Sequence, residues 1–189
     1  MSTILVTGFG PFEAVDDNPS ETLARTLGER DDVDAIVIPV TWDALDRFAE
    51  QIVERSWRSV VMLGVAVDRR RIGLERVALN LRQLDRADAA GAYAETESVV
   101  EDAPDAYFST LPIHTMLDEL SRAGHAVEHS LSAGAYLCNA LFFRARHALA
   151  ARSTPCGFVH VPPTDVIPLD QQSAALHLML DVLRRELAR

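Results

Sequence analysis

Apolar positions along the chain fall into short continuous runs, separated by stretches with helical spacing. Ile4 to Thr7 is the first such run, and residues 35–40 (AIVIPV), 60–64 (VVMLG), 126–131 and 157–161 continue the series. Runs this short predict strands; AIVIPV and VVMLG, which hold no polar side chain, predict strands buried on both faces, while 126–131 and 157–161 predict strands only. Between them lie amphipathic segments. Asn18, Pro19 and Glu21 read as the cap, first position and capping-box acid of a helix. Leu23, Ala24 and Leu27 make its apolar face, and Gly28 closes it. Leu45, Phe48, Ala49, Ile52 and Val53 repeat at helical spacing. Helices are also predicted over 112–122, closed by Gly124, over 138–151, and over 171–187, where Leu176, Met179, Leu180, Leu183 and Leu187 share one face.

Two stretches break this rhythm. Residues 75–81 (ERVALNL) alternate, which predicts a half-exposed strand with Val77, Leu79 and Leu81 on one face and Arg76, Ala78 and Asn80 on the other. Residues 82–104 follow no period and are rich in Asp, Glu and Ala. They predict a long irregular segment, either a disordered surface loop or a lid over a site. Strands alternating with helices predict an α/β fold, a three-layer sandwich whose mixed, mostly parallel sheet has helices on both faces. No repeat or linker divides residues 1–189, so a single domain is expected.

Composition narrows the classes of function. The formal net charge of −10 argues against nucleic acid or an anionic membrane as partner. Arg69, Arg70 and Arg71 form the only basic run, too short to change that reading. The chain begins without a basic segment followed by an apolar one, and no apolar stretch approaches the length of a membrane span. A cytoplasmic protein without a structural disulfide is expected, so Cys138 and Cys156 are read as free thiols.

Three candidates for chemistry fall near strand ends, where open α/β sheets gather their sites. Cys138 lies at a predicted helix start, where the dipole favours a thiolate. His160 ends the strand GFVHV and can take a thiol proton. Glu75 can orient that imidazole, which completes a Cys-His-acid triad. Each has a plain alternative. Spacing alone favours Cys138 as an inert core cysteine, His160 is one of six histidines, and Glu75 alone reads as an exposed strand carboxylate. Cys156, in a predicted loop, is the weaker nucleophile candidate. Gly8 and Gly10 in GFGPF suggest a dinucleotide turn, but the next helix starts only near Pro19, too late to hold a phosphate. Phe9 and Phe12 in the same stretch either wall a small apolar pocket or anchor a turn in the core.

Taken in order, five stretches carry a resemblance that covers almost the whole chain: ILVTGFGPFEAVDDNPS, LERVALNL, DAYFSTLPI, SAGAYLCNALFF and GFVHVP. Together they resemble pyroglutamyl peptidase I, also called pyrrolidone carboxyl peptidase, a family of cytosolic cysteine peptidases. The resemblance implies removal of N-terminal pyroglutamyl residues from peptides through a thioester. It puts Cys138 as nucleophile, His160 as base and later acid, and Glu75 as orienting carboxylate. It also implies that Phe9, Phe12, the backbone at Val65 and Arg86 meet the substrate, and that backbone N–H groups at the start of the Cys138 helix help hold the oxyanion. Neither a cofactor nor a metal is expected, and the family's habit of assembly implies a homodimer or homotetramer.

Four stretches depart from the family pattern. VAVDRR stands where the family has QAGGR, ADAA follows Arg86, AGA precedes the cysteine in place of AGT, and VPPTDVIP follows the histidine. These departures leave two alternatives in view: a related amidase or peptidase with altered acyl specificity, and a diverged homologue without catalysis.

Overall fold

A computed structural model describes residues 3–12 and 17–188. Residues 13–16 of the opening motif, the first two residues read for a leader, and Arg189 lie outside the described residues. Six strands form the main sheet. They are β1 (Ile4–Phe9), β2 (Val33–Ile38), β3 (Ser59–Val65), β4 (Ile72–Glu75), β7 (Val127–Ser130) and β8 (Cys156–Val161), arranged β2-β1-β3-β8-β4-β7. β2, β1, β3 and β8 run parallel, while β4 is antiparallel to β8 and parallel to β7. Five helices among the described residues cover the two faces: α1 (Pro19–Leu27), α2 (Trp42–Gln51), α3 (Ile113–Arg122), α4 (Leu137–Ala148) and α5 (Leu169–Glu186). The α/β sandwich expected from the alternating pattern is the fold observed.

The apolar runs of β1, β3 and β8 form the centre of the sheet. The run 35–40, expected to be buried on both faces, falls instead on the edge strand β2, where Ala35 and Ile36 are exposed because β2 pairs with a strand on one side only. Every residue of β1, β3 and β8 is buried, as parallel strands covered on both sides require. Alternate residues then feed two cores. Val6, Leu63 and Val159 face α1, α3 and α5. Leu5, Met62 and Phe158 face α2 and α4.

The start signals read for α1 hold in part. Asn18 caps α1 by accepting from Ser20 N, with Pro19 at the first turn. Glu21 does not complete a capping box; it pairs instead with Arg25 one turn on, at 2.9 Å.

The stretch 75–81 is not one strand. It divides at Arg76 into the end of β4 and a short strand β5 (Val77–Leu79), which pairs antiparallel with β6 (Ala106–Phe108) in a separate two-stranded sheet. Arg76 is the corner: its N–H donates to Ser130 O, and its carbonyl accepts from Ser109 N. The buried side of β5 is also the opposite of the expected one. Ala78 is fully buried, Val77 and Leu79 are partly exposed, and Leu81 is exposed. A small residue fits where this sheet packs on α4.

Residues 82–104 contain no helix or strand, as expected, and they pack against the body. Buried Asp88 accepts from the N–H groups of Trp42, Ala90 and Ala92, which ties the segment to the start of α2. Ala94 and Val99 are buried in the α2/α4 core.

Candidate active site

The α2/α4 side of the sheet brings together residues from β1, β3, β4, β8 and the start of α4. On β8, His160 faces this side together with Phe158, whose ring lies 4.8 Å from the imidazole. On β4, Glu75 and Gly73 face the same way, because Gly73 is the register partner of His160 and Glu75 that of Phe158. Glu75 Oε1 and His160 Nδ1 are 2.7 Å apart, and both residues are buried, Glu75 completely. A carboxylate only accepts, so Nδ1 carries the hydrogen and Nε2 is left free to take one.

Cys138 is the second residue of α4. Its sulfur lies over Gly64 of β3, which pairs in register with His160. A Cβ on Gly64 would stand 2.9 Å from Cys138 Sγ and 2.8 Å from Phe158 Cζ, so only glycine leaves the sulfur its place. Asn139 fixes the helix start from below. Its Oδ1 accepts from Leu79 N, and its Nδ2 donates to the carbonyls of Leu79 and Leu81, each at 2.9 Å. The nucleophile candidate is thus pinned through the next residue to the end of β5. No side-chain cap closes the N-terminus of α4, so its first-turn N–H groups are not taken by a capping oxygen.

Part of the Cys138 surface is open, but the sulfur itself is crowded by protein. Burial pushes the thiol up to about 12, and the Glu75 carboxylate adds to the rise; Arg86, Arg69 and the Cys138 N–H act in the opposite direction. At neutral pH the resting group is therefore a thiol, and it needs a base to become a nucleophile. Burial likewise pushes Cys156 up to about 12. That residue starts β8 inside the α2/α4 core and is fully buried. Both cysteines are free.

A narrow apolar pocket opens beside the sulfur, lined by Phe9, Phe12, Val40, Val65, Tyr136 and Leu137. The turn bearing Phe9 and Phe12 is clamped to the start of α1. Ser20 Oγ accepts from Phe9 N at 3.0 Å, and Asn18 Nδ2 donates to Gly10 O at 2.9 Å. This gives the separated TGFGPF and NPS stretches a shared purpose: the second holds the first in shape. Val65 closes β3 at the pocket wall. The Arg86 guanidinium stacks over the Tyr136 ring, 4.2 Å from its centroid, and Tyr136 donates to Ala87 O. A wider surface cleft, about 880 Å³, lies between α2 and residues 88–101 and is lined by none of Cys138, His160 and Glu75. Among the described residues, no group of three or more His, Cys, Asp or Glu is placed to hold a metal ion.

The sequence model of the family described as pyroglutamyl peptidase matches residues 2–184. The chain belongs to the pyroglutamyl peptidase family. Among its relatives, the pyrrolidone-carboxylate peptidase of Pseudomonas fluorescens is 37% identical over 188 residues, 95% of this chain and 88% of the relative. That of Thermococcus kodakarensis is 34% identical over 181 residues, 93% and 88% of the two chains. Solved structures agree. A mutant pyrrolidone carboxyl peptidase from the hyperthermophile Pyrococcus furiosus superposes with a TM-score of 0.89 at 31% identity, over 98% of this chain and 99% of that one. The pyrrolidone carboxyl peptidase from Thermococcus litoralis gives 0.89 at 29% identity, over 100% and 96%.

Membership puts the chain among cysteine peptidases and leaves the family's departing stretches to be read from their geometry. In VAVDRR, Arg69 turns inward and its Nη2 lies 2.8 Å from Glu75 Oε1. Sequence reading missed this residue, because it sits in a basic run that looks like a solvated surface. Gly73, two positions before the glutamate, is the one local signal of space being kept. In the segment after Arg86, Asp88 supplies the buried hub described above. In AGA, Gly134 adopts a positive φ of 80°, the conformation in which glycine is least strained.

Proposed function

We propose that this chain hydrolyses the amide bond that follows an N-terminal pyroglutamyl residue in peptides, with Cys138, His160 and Glu75 as its catalytic group. One observation carries the reading. The Glu75–His160 pair, 2.7 Å apart, shares a sheet face with the Cys138 sulfur over Gly64, beside a narrow apolar pocket. His160 Nε2 takes the proton of the Cys138 thiol, and the thiolate attacks the pyroglutamyl carbonyl. N–H groups at the start of α4 meet the developing oxyanion. The imidazolium, held by Glu75, gives its proton to the departing amine, which leaves a thioester. Water, deprotonated by the same imidazole, then releases pyroglutamate and restores the thiol.

Pyroglutamate is a neutral lactam, so its pocket calls for apolar walls and backbone partners rather than a counter-charge. Phe9, Phe12 and Val65 suit that role, and Arg86 borders the site through Tyr136. In this reading residues 1–189 work as one peptidase domain, in the cytoplasm, as a homo-oligomer. No helix among the described residues is long and apolar enough to cross a membrane.

The test is hydrolysis of a fluorogenic pyroglutamyl amide with and without iodoacetamide. Turnover is expected, blocked by the reagent, lowered about 10⁴-fold or more in Cys138→Ala, and kept in Cys156→Ala. Correctly folded protein that leaves the amide intact would overturn the proposal. Loss in Cys156→Ala with activity kept in Cys138→Ala would move the nucleophile to the other thiol.

A further inference from the structure

Glu75 is fully buried, and its polar partners among the described residues meet it at one oxygen. Oε1 accepts from His160 Nδ1 at 2.7 Å and is ion-paired with Arg69 Nη2 at 2.8 Å, while Oε2 is buried without a hydrogen-bond partner. A carboxylate out of water and held at a single oxygen by a single imidazole is poorly fixed and costly to keep charged. Arg69 changes both conditions. Its Nη2 also donates to Ser130 Oγ at 2.7 Å and to Ser132 O at 3.0 Å. Ser130 is the register partner of Glu75 on β7, so the anchor stands on the strand next to the carboxylate.

The path of the guanidinium is kept open by a missing side chain. A Cβ on Gly73 would come within 2.2 Å of Arg69 Nη1 and 3.6 Å of Glu75 Oε1. The glycine that faces His160 across the β4–β8 pairing is therefore the gap through which Arg69 reaches the acid.

We propose that Arg69 is a positioning residue for the reaction: anchored on Ser130 and Ser132 and passing through the gap at Gly73, it fixes the Glu75 carboxylate and, through it, the imidazole of His160. The charges around the sulfur give it a second effect. Glu75 on β4 disfavours the Cys138 thiolate, whereas Arg69 from the β3–β4 loop and Arg86 from the 82–104 segment favour it; His160 on β8, Tyr136 before α4 and Cys156 at the start of β8 stand on the same side of the sheet. Arg69 thus offsets the cost that the orienting carboxylate imposes on the nucleophile.

Rate and affinity separate this role from that of a loop tie. Among the described residues the polar contacts of the Arg69 side chain are with Glu75, Ser130 and Ser132, none of them a pocket-lining residue, so its loss is expected to lower kcat and leave KM unchanged. In Arg69→Ala we expect kcat for a pyroglutamyl amide to fall roughly 100-fold. Alkylation of Cys138 by iodoacetamide at a fixed pH of about 8, followed by mass spectrometry of its peptide, is expected to slow about tenfold. Gly73→Ala keeps the arginine but crowds it out, and is expected to move both readouts the same way. Arg69→Lys, which keeps the charge without the planar fork, is expected to recover part of both.

Folded Arg69→Ala with the wild-type kcat and alkylation rate would overturn the proposal and leave Arg69 as a loop tie. If that variant does not fold, Gly73→Ala and Arg69→Lys decide by the same criteria. The turnover arm rests on the proposed peptidase reaction, and the alkylation arm does not. Wild-type protein inert toward the amide would overturn that reaction, while the alkylation rates still decide for or against Arg69.

Discussion

The two faces of the sheet carry similar apolar layers and very different polar content. On the side of α1, α3 and α5, Leu27, Met116, Met179 and Leu180 close a core in which the buried polar side chain Gln172 is held by the carbonyls of Pro162 and Ile167. On the side of α2 and α4, Phe142, Phe143 and Leu141 pack around buried Glu75, His160 and Asn139. The first face packs its helices onto the sheet and meets the site at the start of α1, where Ser20 and Asn18 hold the turn that bears Phe9. The second spends part of its interior on ionisable groups, which survive there because each is paired. Buried charge without a partner costs several kcal/mol. A chain that concentrates such groups on one face needs the other to be dry and well packed.

Changes that attack this division differ in size. The largest is expected at the paired acid. Glu75→Gln keeps the shape and removes the charge, so the amide neither fixes the imidazole tautomer nor stabilises an imidazolium. Turnover is expected to drop roughly 10³-fold. The same change removes the carboxylate that disfavours the Cys138 thiolate, so alkylation of Cys138 at the same fixed pH is expected to speed up. A thiol that reacts more readily in an enzyme that works more slowly is the signature. Parallel movement of both readouts would mean that Glu75 acts only as a structural support.

The next effect separates the faces directly. Leu180 is fully buried against the sheet on the far side. Leu180→Ala is expected to cost about 3 kcal/mol of stability and leave kcat of the folded enzyme unchanged. Phe142 is equally buried, but its ring lies 6.1 Å from Phe158, which in turn stacks 4.8 Å from His160. Phe142→Ala is expected to cost a similar amount and to lower kcat as well. Denaturant midpoints alongside kcat check the pair, and equal effects on kcat would erase the distinction between the faces.

What the sequence could tell in advance follows the same line. Strands such as β3 and β8 were legible because continuous apolar runs have few other uses. Helix α1 was legible from Asn18 and Pro19. The break at Arg76 was not, because alternation over 75–81 is compatible with one strand, and only the pairing of β5 with β6 divides it. β6 itself, three residues long, is too short for any period to register. Ala78 was set on the wrong face because residue size suggested Val77 and Leu79 as the core side. The three site residues could be named as candidates from their places near strand ends, but only the resemblance chose them over their plain alternatives, since a buried glutamate, a strand histidine and a core cysteine look ordinary one at a time. Arg69 stayed hidden for a more general reason. An arginine in a basic run declares its partner only when the fold shows where it turns, and the partner here is six positions away across a strand start.

The smallest expected effect concerns the thiol that takes no part in the proposed reaction. Cys156 is fully buried, and burial pushes it up to about 12 from 9.0. Between those values the folded chain keeps a proton that the unfolded chain has lost. Stability therefore falls as pH rises through this window, and the thiol's contribution is fully present only below the unfolded value. The slope is at most about 1.4 kcal/mol per pH unit. In most proteins lysines titrate across the same range and blur such a slope. Here all 18 basic residues are arginines, so apart from two cysteines and three tyrosines little else changes charge there. Cys156→Ala removes the fully buried thiol of the α2/α4 core, and the loss of stability as pH rises above about 9, read from urea midpoints, is expected to become shallower. Cys138 shifts in the same direction but keeps part of its surface open to water, so its own contribution to the slope is expected to be the lesser one. A larger flattening from Cys138→Ala than from Cys156→Ala would mean that the active face, not its dry interior, holds the more deeply buried thiol.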